Sequence, residues 1–377
     1  MFVTYFERVP GDIAEVGTEN ADAPKGPPKR RRLRDRWVLL TVVIGLAVLF
    51  GGSAIAVAVF TARLTGNVDS IADRFEALPT RPPVITPSPT PGAEPPARAA
   101  MNVLVLGSDS RISAGDPSDW VAGAQRTDAI MLVHLPADAS AAWVMSIPRD
   151  SWVPIPGHGS AKINAAFSYG GPTLLIQTVE ELTQVRIDHF AVADFESFQQ
   201  VTDALGGVPL TLADDLNDRK GGLLLPAGDR VLNGDQALIW VRERYSLRRG
   251  DFDRVQRQQA WMRAILTKVR DEGVLSNPVR SVRFLDTVTK SLAIDDGVSL
   301  GVMQDMVGRI KDLGSGDLDF LTVPVQGTGR SPDGRQSIVV LNRPAFDALM
   351  VAVANDTVGE CLAQNDAAVD TLGTVAP

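Results

Sequence analysis

Asp109 with Arg111, Arg126 with Asp128, and Arg149 with Asp150 are pairs of opposite charge at the ends of apolar runs. Further on, six arginines fall between Arg242 and Arg257, opposed only by Glu243, Asp251 and Asp253. That local excess of positive charge runs against a chain whose formal net charge is −8. Two carboxylates such as Asp109 and Asp128 repel each other unless a cation sits between them. Mg²⁺ (or Mn²⁺) suits one or two carboxylates completed by phosphate oxygens and water. Arginine presents a planar fork of donors that fits phosphate oxygens in pairs. Together these residue types are those of phosphoryl transfer, in which positioning and electrostatic stabilisation supply most of the catalysis. No P-loop, Gly-x-Ser-x-Gly elbow or His-Glu-x-x-His motif is present, so nucleotide hydrolysis, serine hydrolysis and zinc proteolysis lose their usual signals. Composition alone leaves structural ion pairs open, and the arginine run also reads as a solvated, salt-bridged helix face.

The elements around these charges give them a common address. Asn102–Gly107, Asp128–Leu135 and Ala142–Ile147 read as three buried strands. About seven residues separate the second from the third, which is hairpin length and too short for a parallel crossover. If the first two also pair antiparallel, all three charge pairs meet at one rim of the sheet, where open α/β sheets place ligands. A helix is expected from Gly170-Gly171-Pro172 to Gln184, then a strand at Ile187–Val192. Asp194 caps a helix that ends at Gly206-Gly207, and Val208–Leu212 is a further strand. Asn233 caps a helix running into the arginine stretch. Asp253–Arg270 then has a helical apolar stripe, with Arg254 and Gln258 one turn apart on the same face.

The flanks have a different character. Residues 1–36 end in seven basic side chains, and residues 37–62 carry no charge at all. That length exceeds the roughly 20 residues that span a bilayer. The charge asymmetry predicts a single transmembrane signal anchor with residues 1–36 in the cytoplasm and the rest outside. Residues 63–78 read as a short helix. The linker, residues 63–100, includes eight prolines between Pro79 and Pro96, the composition of a stiff spacer unable to pack a core. The catalytic domain is expected over residues 101–349, with residues 350–377 a loose tail. One cysteine excludes an intrachain disulfide, a total of three histidines argues against a histidine-rich metal site, and the acidic balance argues against nucleic acid. His134 reads as a packed strand residue and His158 as a loop residue.

The stretches Asn102–Arg111, Arg126-Thr127-Asp128, Ser146–Asp150, Lys162–Ala166, Gly170-Gly171-Pro172, Asp203–Val208 and Arg242–Gln259 resemble the LytR-CpsA-Psr (LCP) family in content and order. Ala129, Glu243 and Tyr245 depart from the usual pattern without removing a charged position. The resemblance implies an α/β domain, a mixed central β-sheet flanked by helices, with an apolar groove for a polyprenyl tail. It implies a membrane-anchored, Mg-dependent phosphotransferase moving a glycopolymer from a polyprenyl-pyrophosphate carrier to the 6-hydroxyl of N-acetylmuramic acid in peptidoglycan. By matching motifs, Asp109 and Asp128 would hold the metal. Arg149, Arg242 and Arg244 would grip the pyrophosphate, with Arg126, Arg254 and Gln258 in support. Hydrolysis of the same donor, or tethered binding of an anionic wall polymer without catalysis, would use the same groups.

Overall fold

The computed structural model describes residues 69–71, 75–76, 78–83, 98–108, 127–218, 220–243, 247–274, 277–310, 313–314, 316–365, 369–373, 375 and 377. Residues 1–68, and with them the expected cytoplasmic segment and membrane anchor, lie outside the described residues. No described helix is long and apolar enough to cross a membrane. The strands are β1 (Asp69–Ile71), β2 (Met101–Ser108), β3 (Thr127–Leu135), β4 (Ala142–Ser146), β5 (Trp152–Ile155) and β6 (Gly159–Lys162). Helix α1 (Asn164–Thr183), β7 (His189–Ala193), α2 (Phe195–Ala204) and β8 (Val208–Leu212) follow. Next come β9 (Leu216–Asn217), β10 (Leu223–Leu225), β11 (Gly228–Leu232), α3 (Gly234–Arg242), α4 (Asp251–Asp271) and α5 (Pro278–Ser291). The chain closes with β12 (Leu292–Asp295), α6 (Leu300–Ile310), β13 (Leu318–Thr322), β14 (Val325–Arg330) and β15 (Ser337–Leu341), then α7 (Arg343–Ala354), α8 (Val358–Asn365) and β16 (Asp370–Thr371).

Eight strands form one mixed sheet in the order β1-β12-β7-β2-β3-β4-β13-β16. As the short connection requires, β3 and β4 pair antiparallel, with Met131 opposite Ser146 and His134 opposite Trp143. Strands β2 and β3 are also antiparallel, with Ser108 opposite Thr127. The ends of β2 and β4 and the start of β3 therefore share one rim.

Alternation along the strands divides the apolar residues between two faces. Leu104, Leu106, Ile130, Leu132 and Met145 pack with Phe167, Ile176 and Val179 of α1 and Phe346 and Met350 of α7. On the other face Met131, Val144 and Phe320 meet Met262 and Leu266 of α4 and Met306 of α6. Each such fully buried side chain contributes about 1.5–3 kcal/mol relative to exposure. The result is the expected mixed sheet between helical layers.

Three expectations about the flanks are corrected. Residues 69–71 are not helical: they pair parallel with β12 as an edge strand. The start of the proline-rich linker does pack. Leu78 is buried in the main core, and Arg81 donates from Nη2 to the buried Glu180 carboxylate at 2.6 Å. Phe75 packs against the same core, and Arg186 Nη1 donates to Pro82 O at 3.3 Å, so apolar contacts and two arginines dock a segment that proline otherwise keeps extended. Finally, residues from 350 onward are not a loose tail. Helix α7 continues to Ala354 because Met350, Ala352 and Val353 are buried. Asp370–Thr371 then pairs with β13, and Leu372 N donates to Phe320 O at 2.9 Å. Small, polar residues concealed a segment that backbone pairing holds.

Candidate active site

Asp128 is the second residue of β3, at the rim. The neighbouring Thr127 is fully buried, and its hydroxyl meets Gly107 O and Ala129 O, both at 2.9 Å. This ties the end of β2 to the start of β3 and fixes where Asp128 emerges. Pro148 ends the β4 run, and the next two residues are clamped by backbone: Asn164 N donates to Arg149 O at 3.2 Å, and Val339 N to Asp150 O at 2.9 Å. Arg149 thus stands directly over the rim. Its guanidinium hydrogen-bonds Asp128 through Nη1.

The arginine stretch arrives from the opposite side. Asn233 and Gln236 form a reciprocal capping box that starts α3, and Arg242 lies in its last turn. Arg242 is exposed and stacks its guanidinium over the Phe195 ring at 4.1 Å. Gly250, at φ +60°, precedes α4, a backbone conformation that favours glycine. In the first turn of α4, Arg254 lies 2.5 Å from Asp251 Oδ1 and is only 5% exposed. Asp251 Oδ1 also lies 3.6 Å from Arg149 Nε. The carboxyl of Asp251 therefore joins the rim to the arginine helix.

Charge is balanced in this cluster. Asp128, Asp150 and Asp251 face Arg149, Arg254 and Lys162, whose Nζ is 3.1 Å from Asp150 Oδ1. Burial opposes the charge of Arg149, but Asp251, Asp128 and Asp150 together outweigh it and raise its pKa. Burial also dominates at Asp251, raising its carboxyl above the ordinary range despite Arg254 and Arg149. Both directions hold because Arg149 shares three anions, whereas Asp251 is flanked by the like charges of Asp150 and Asp128 as well as by its two cations. Asp251 Oδ2 is buried without a hydrogen-bond partner among the described residues.

An open cleft of about 650 Å³ runs over this cluster. Asp128, Arg149, Arg242, Arg254 and Gln258 all line it, as do Lys162, Asn164, Tyr169 and Gln336. Five of the eight residues singled out from the sequence are thus brought to one cavity. The other three, Asp109, Arg126 and Arg244, lie outside the described residues. Arg257, by contrast, is neither solvated nor in the cleft: it donates to Trp240 O at 2.9 Å, and burial lowers its pKa to about 10. Arg248 is 87% exposed and Arg249 pairs with Asp253 and Asp370. His189 is hydrogen-bonded to Asp295 at 3.1 Å. His134, fully buried, lies between Asn102 and Asp356.

Sequence reasoning missed Asp251, counting it only as a counter-charge. The available signal was its place three residues before Arg254 at a helix start, where the two side chains meet. The helix expected from Gly170 in fact begins at Asn164 and is broken at Gly170 and Gly171, the latter at φ 66°. Residues 164–169 thereby form a separate turn along the cleft wall.

For a divalent cation, the donor set on the described residues is two cleft-lining carboxylates, Asp128 and Asp150. Among the described residues no group of three or more histidine, cysteine or acidic side chains could hold a metal alone. This suits Mg²⁺, which takes one or two carboxylates and completes its shell with phosphate and water.

The mixed α/β domain thus gathers arginines and carboxylates over one rim of its central sheet. Residues 81–350 match the LytR_cpsA_psr family, and the chain belongs to it. It is 30% identical over 287 residues to the cell wall biosynthesis protein LcpA of Corynebacterium glutamicum, covering 65% of this chain and 54% of that protein. It is 36% identical over 179 residues to the polyisoprenyl-teichoic acid–peptidoglycan teichoic acid transferase TagT of Bacillus subtilis, covering 46% of this chain and 54% of TagT. The chain thus spans about half the length of these curated relatives. The structure of TagT bound to LI-WTA superposes with a TM-score of 0.54 at 26% identity, covering 72% of this chain and 96% of that one.

Proposed function

We propose that this protein is a membrane-anchored phosphotransferase that moves a glycopolymer from a polyprenyl-pyrophosphate carrier to a peptidoglycan hydroxyl, the 6-hydroxyl of N-acetylmuramic acid. The observation that carries the reading is the convergence of Arg149, Arg242, Arg254 and Gln258 with Asp128 on one open cleft. The relatives named for cell wall biosynthesis and teichoic acid transfer support it.

In this reaction the acceptor hydroxyl oxygen forms a bond to the phosphorus that carries the sugar. The anhydride bond to the lipid-side phosphate breaks, and polyprenyl phosphate departs. That phosphate, with a second pKa of about 6, is basic enough to take the hydroxyl proton. Arg149 and Arg254 hold the non-bridging oxygens and oppose the charge that builds on them, in a site where burial strengthens the interaction. Arg242, on its Phe195 shelf, closes the other side, and the Gln258 amide donates beside Arg254. Asp251 keeps the two buried guanidiniums aligned. Asp128, with Asp109, would hold Mg²⁺, which when bound neutralises phosphate charge and orients the pyrophosphate. The apolar segment at residues 37–62 would keep the cleft outside the cell at the membrane that supplies the donor.

Full-length protein in detergent, given lipid-linked glycopolymer and peptidoglycan, should yield a glycopolymer–phosphate–muramic acid linkage detectable by mass spectrometry after wall digestion. If all turnover is hydrolysis even with acceptor present, the protein is a pyrophosphatase. Binding without either product makes it a tethered polymer binder or sensor.

A further inference from the structure

The cleft has a wall that phosphate chemistry does not use. Ala161, Lys162, Asn164, Ala165, Tyr169 and Gln336 line it alongside the arginines. Tyr169 is 46% exposed, a large ring left in water at the mouth of a polar cleft. It is not loose. The imidazole of His158 stacks on it with ring centroids 4.8 Å apart and planes 24° from parallel. His158 sits at the tip of the β5–β6 hairpin between Gly157 (φ +75°) and Gly159 (φ +70°), conformations that let the tip fold tightly. Tyr169 is the last residue before the break in α1. A Cβ at Gly170 would lie 2.6 Å from Leu174 Cβ, so glycine is needed where the helix kinks. Hairpin tip, ring stack and helix break all act on one exposed phenol, and nothing in holding pyrophosphate calls for it.

We propose that Tyr169, held by His158, is the stacking floor of a saccharide subsite. The chemistry it fits is a pyranose ring bearing an acetamido group. One ring face of C–H bonds packs on the phenol, while the Asn164 and Gln336 amides exchange hydrogen bonds with hydroxyl and acetamido groups. A fixed aromatic with two neutral amides recognises a neutral polar ring at little entropic cost, because the platform is already ordered. Lys162, held to Asp150, adds a positive edge next to the phosphate end. The inference rests on the transferase reading and sharpens it, since either the sugar attached to the donor phosphate or a sugar of the acceptor strand has this chemistry.

Three probes separate the sources in calorimetric titrations of full-length protein in detergent. They are a soluble peptidoglycan tetrasaccharide, geranyl pyrophosphate, and geranyl pyrophosphate carrying one N-acetylglucosamine. For Tyr169→Ala, a stacked ring lost from the contact should weaken a saccharide probe about tenfold, and Tyr169→Phe should stay within about twofold of wild type. Geranyl pyrophosphate should bind all three proteins alike. His158→Ala should weaken the same saccharide probe less than Tyr169→Ala does. Loss confined to the tetrasaccharide assigns the subsite to the acceptor, and loss confined to the sugar-bearing pyrophosphate assigns it to the donor. If neither saccharide binds, or both bind Tyr169→Ala as they bind wild type, the subsite is overturned. Failure of geranyl pyrophosphate to bind wild type would instead overturn the transferase reading, leaving the tetrasaccharide titration to judge the platform.

Discussion

Replacing Arg149 by alanine removes, among the described residues, the cation that Asp128, Asp150 and Asp251 share. Deleting one partner of a buried pair costs about 3–5 kcal/mol, because the other charge stays buried without compensation. Arg149 is 17% and Asp128 28% exposed, so water screens part of that and a loss of about 2–3 kcal/mol is expected. The loss should carry a pH signature. Burial already holds the Asp251 carboxyl above its ordinary range, and Arg149 is one of the two cations that hold it down. Without Arg149 the rise grows. A carboxyl whose folded pKa exceeds its unfolded value favours the fold while protonated and loses that contribution as pH climbs through the folded value. The deficit of Arg149→Ala should therefore be greatest at neutral pH and shrink as pH falls toward about 4, the ordinary carboxylate range. Urea denaturation of variant and wild type, compared stepwise from neutral to acid, reads this directly. A deficit that does not change with pH would mean that Arg149 acts through packing alone, and no deficit would mean the acids do not depend on it. Arg149→Lys keeps the charge without the fork, and should lose about tenfold in geranyl pyrophosphate affinity with little change in stability.

Glu180 is 1% exposed and accepts from Arg81 and from Ile187 N at 2.9 Å; Glu180→Ala should cost about 3–5 kcal/mol in a denaturant titration. Asn233→Ala removes the cap of the helix that carries Arg242, and should cost about 1 kcal/mol while weakening pyrophosphate binding. Mg²⁺ with a prenyl pyrophosphate should raise the melting temperature of wild type but not of Asp128→Asn, and a chelator should abolish transfer. An unchanged Mg²⁺ response in Asp128→Asn would remove Asp128 from the metal site.

Much of the scaffold was legible in the chain. The short connection between β3 and β4 left only antiparallel pairing, and the apolar runs marked β2, β3 and β4 as buried strands. Residue type marked the rim and the arginine stretch, and the family resemblance then picked out Asp128, Arg149, Arg242, Arg254 and Gln258, which share one cleft. Residue type by itself could not supply the choice among like residues, which came only from the family resemblance. Arg254 and Arg257 are three apart on one helix, yet the first faces the cleft and the second donates to Trp240 O, a difference set by how α4 rotates against its neighbours. The link from Arg149 to Arg254 through Asp251 also escaped notice, because it joins segments about a hundred positions apart. The edge strands β1 and β16 were hidden for a related reason. Their stability comes from backbone hydrogen bonds to β12 and β13, not from an apolar pattern of their own. Local periodicity and residue chemistry thus determined the elements and the kind of site. Long-range packing sets which arginines reach the cleft and which terminal segments belong to the fold.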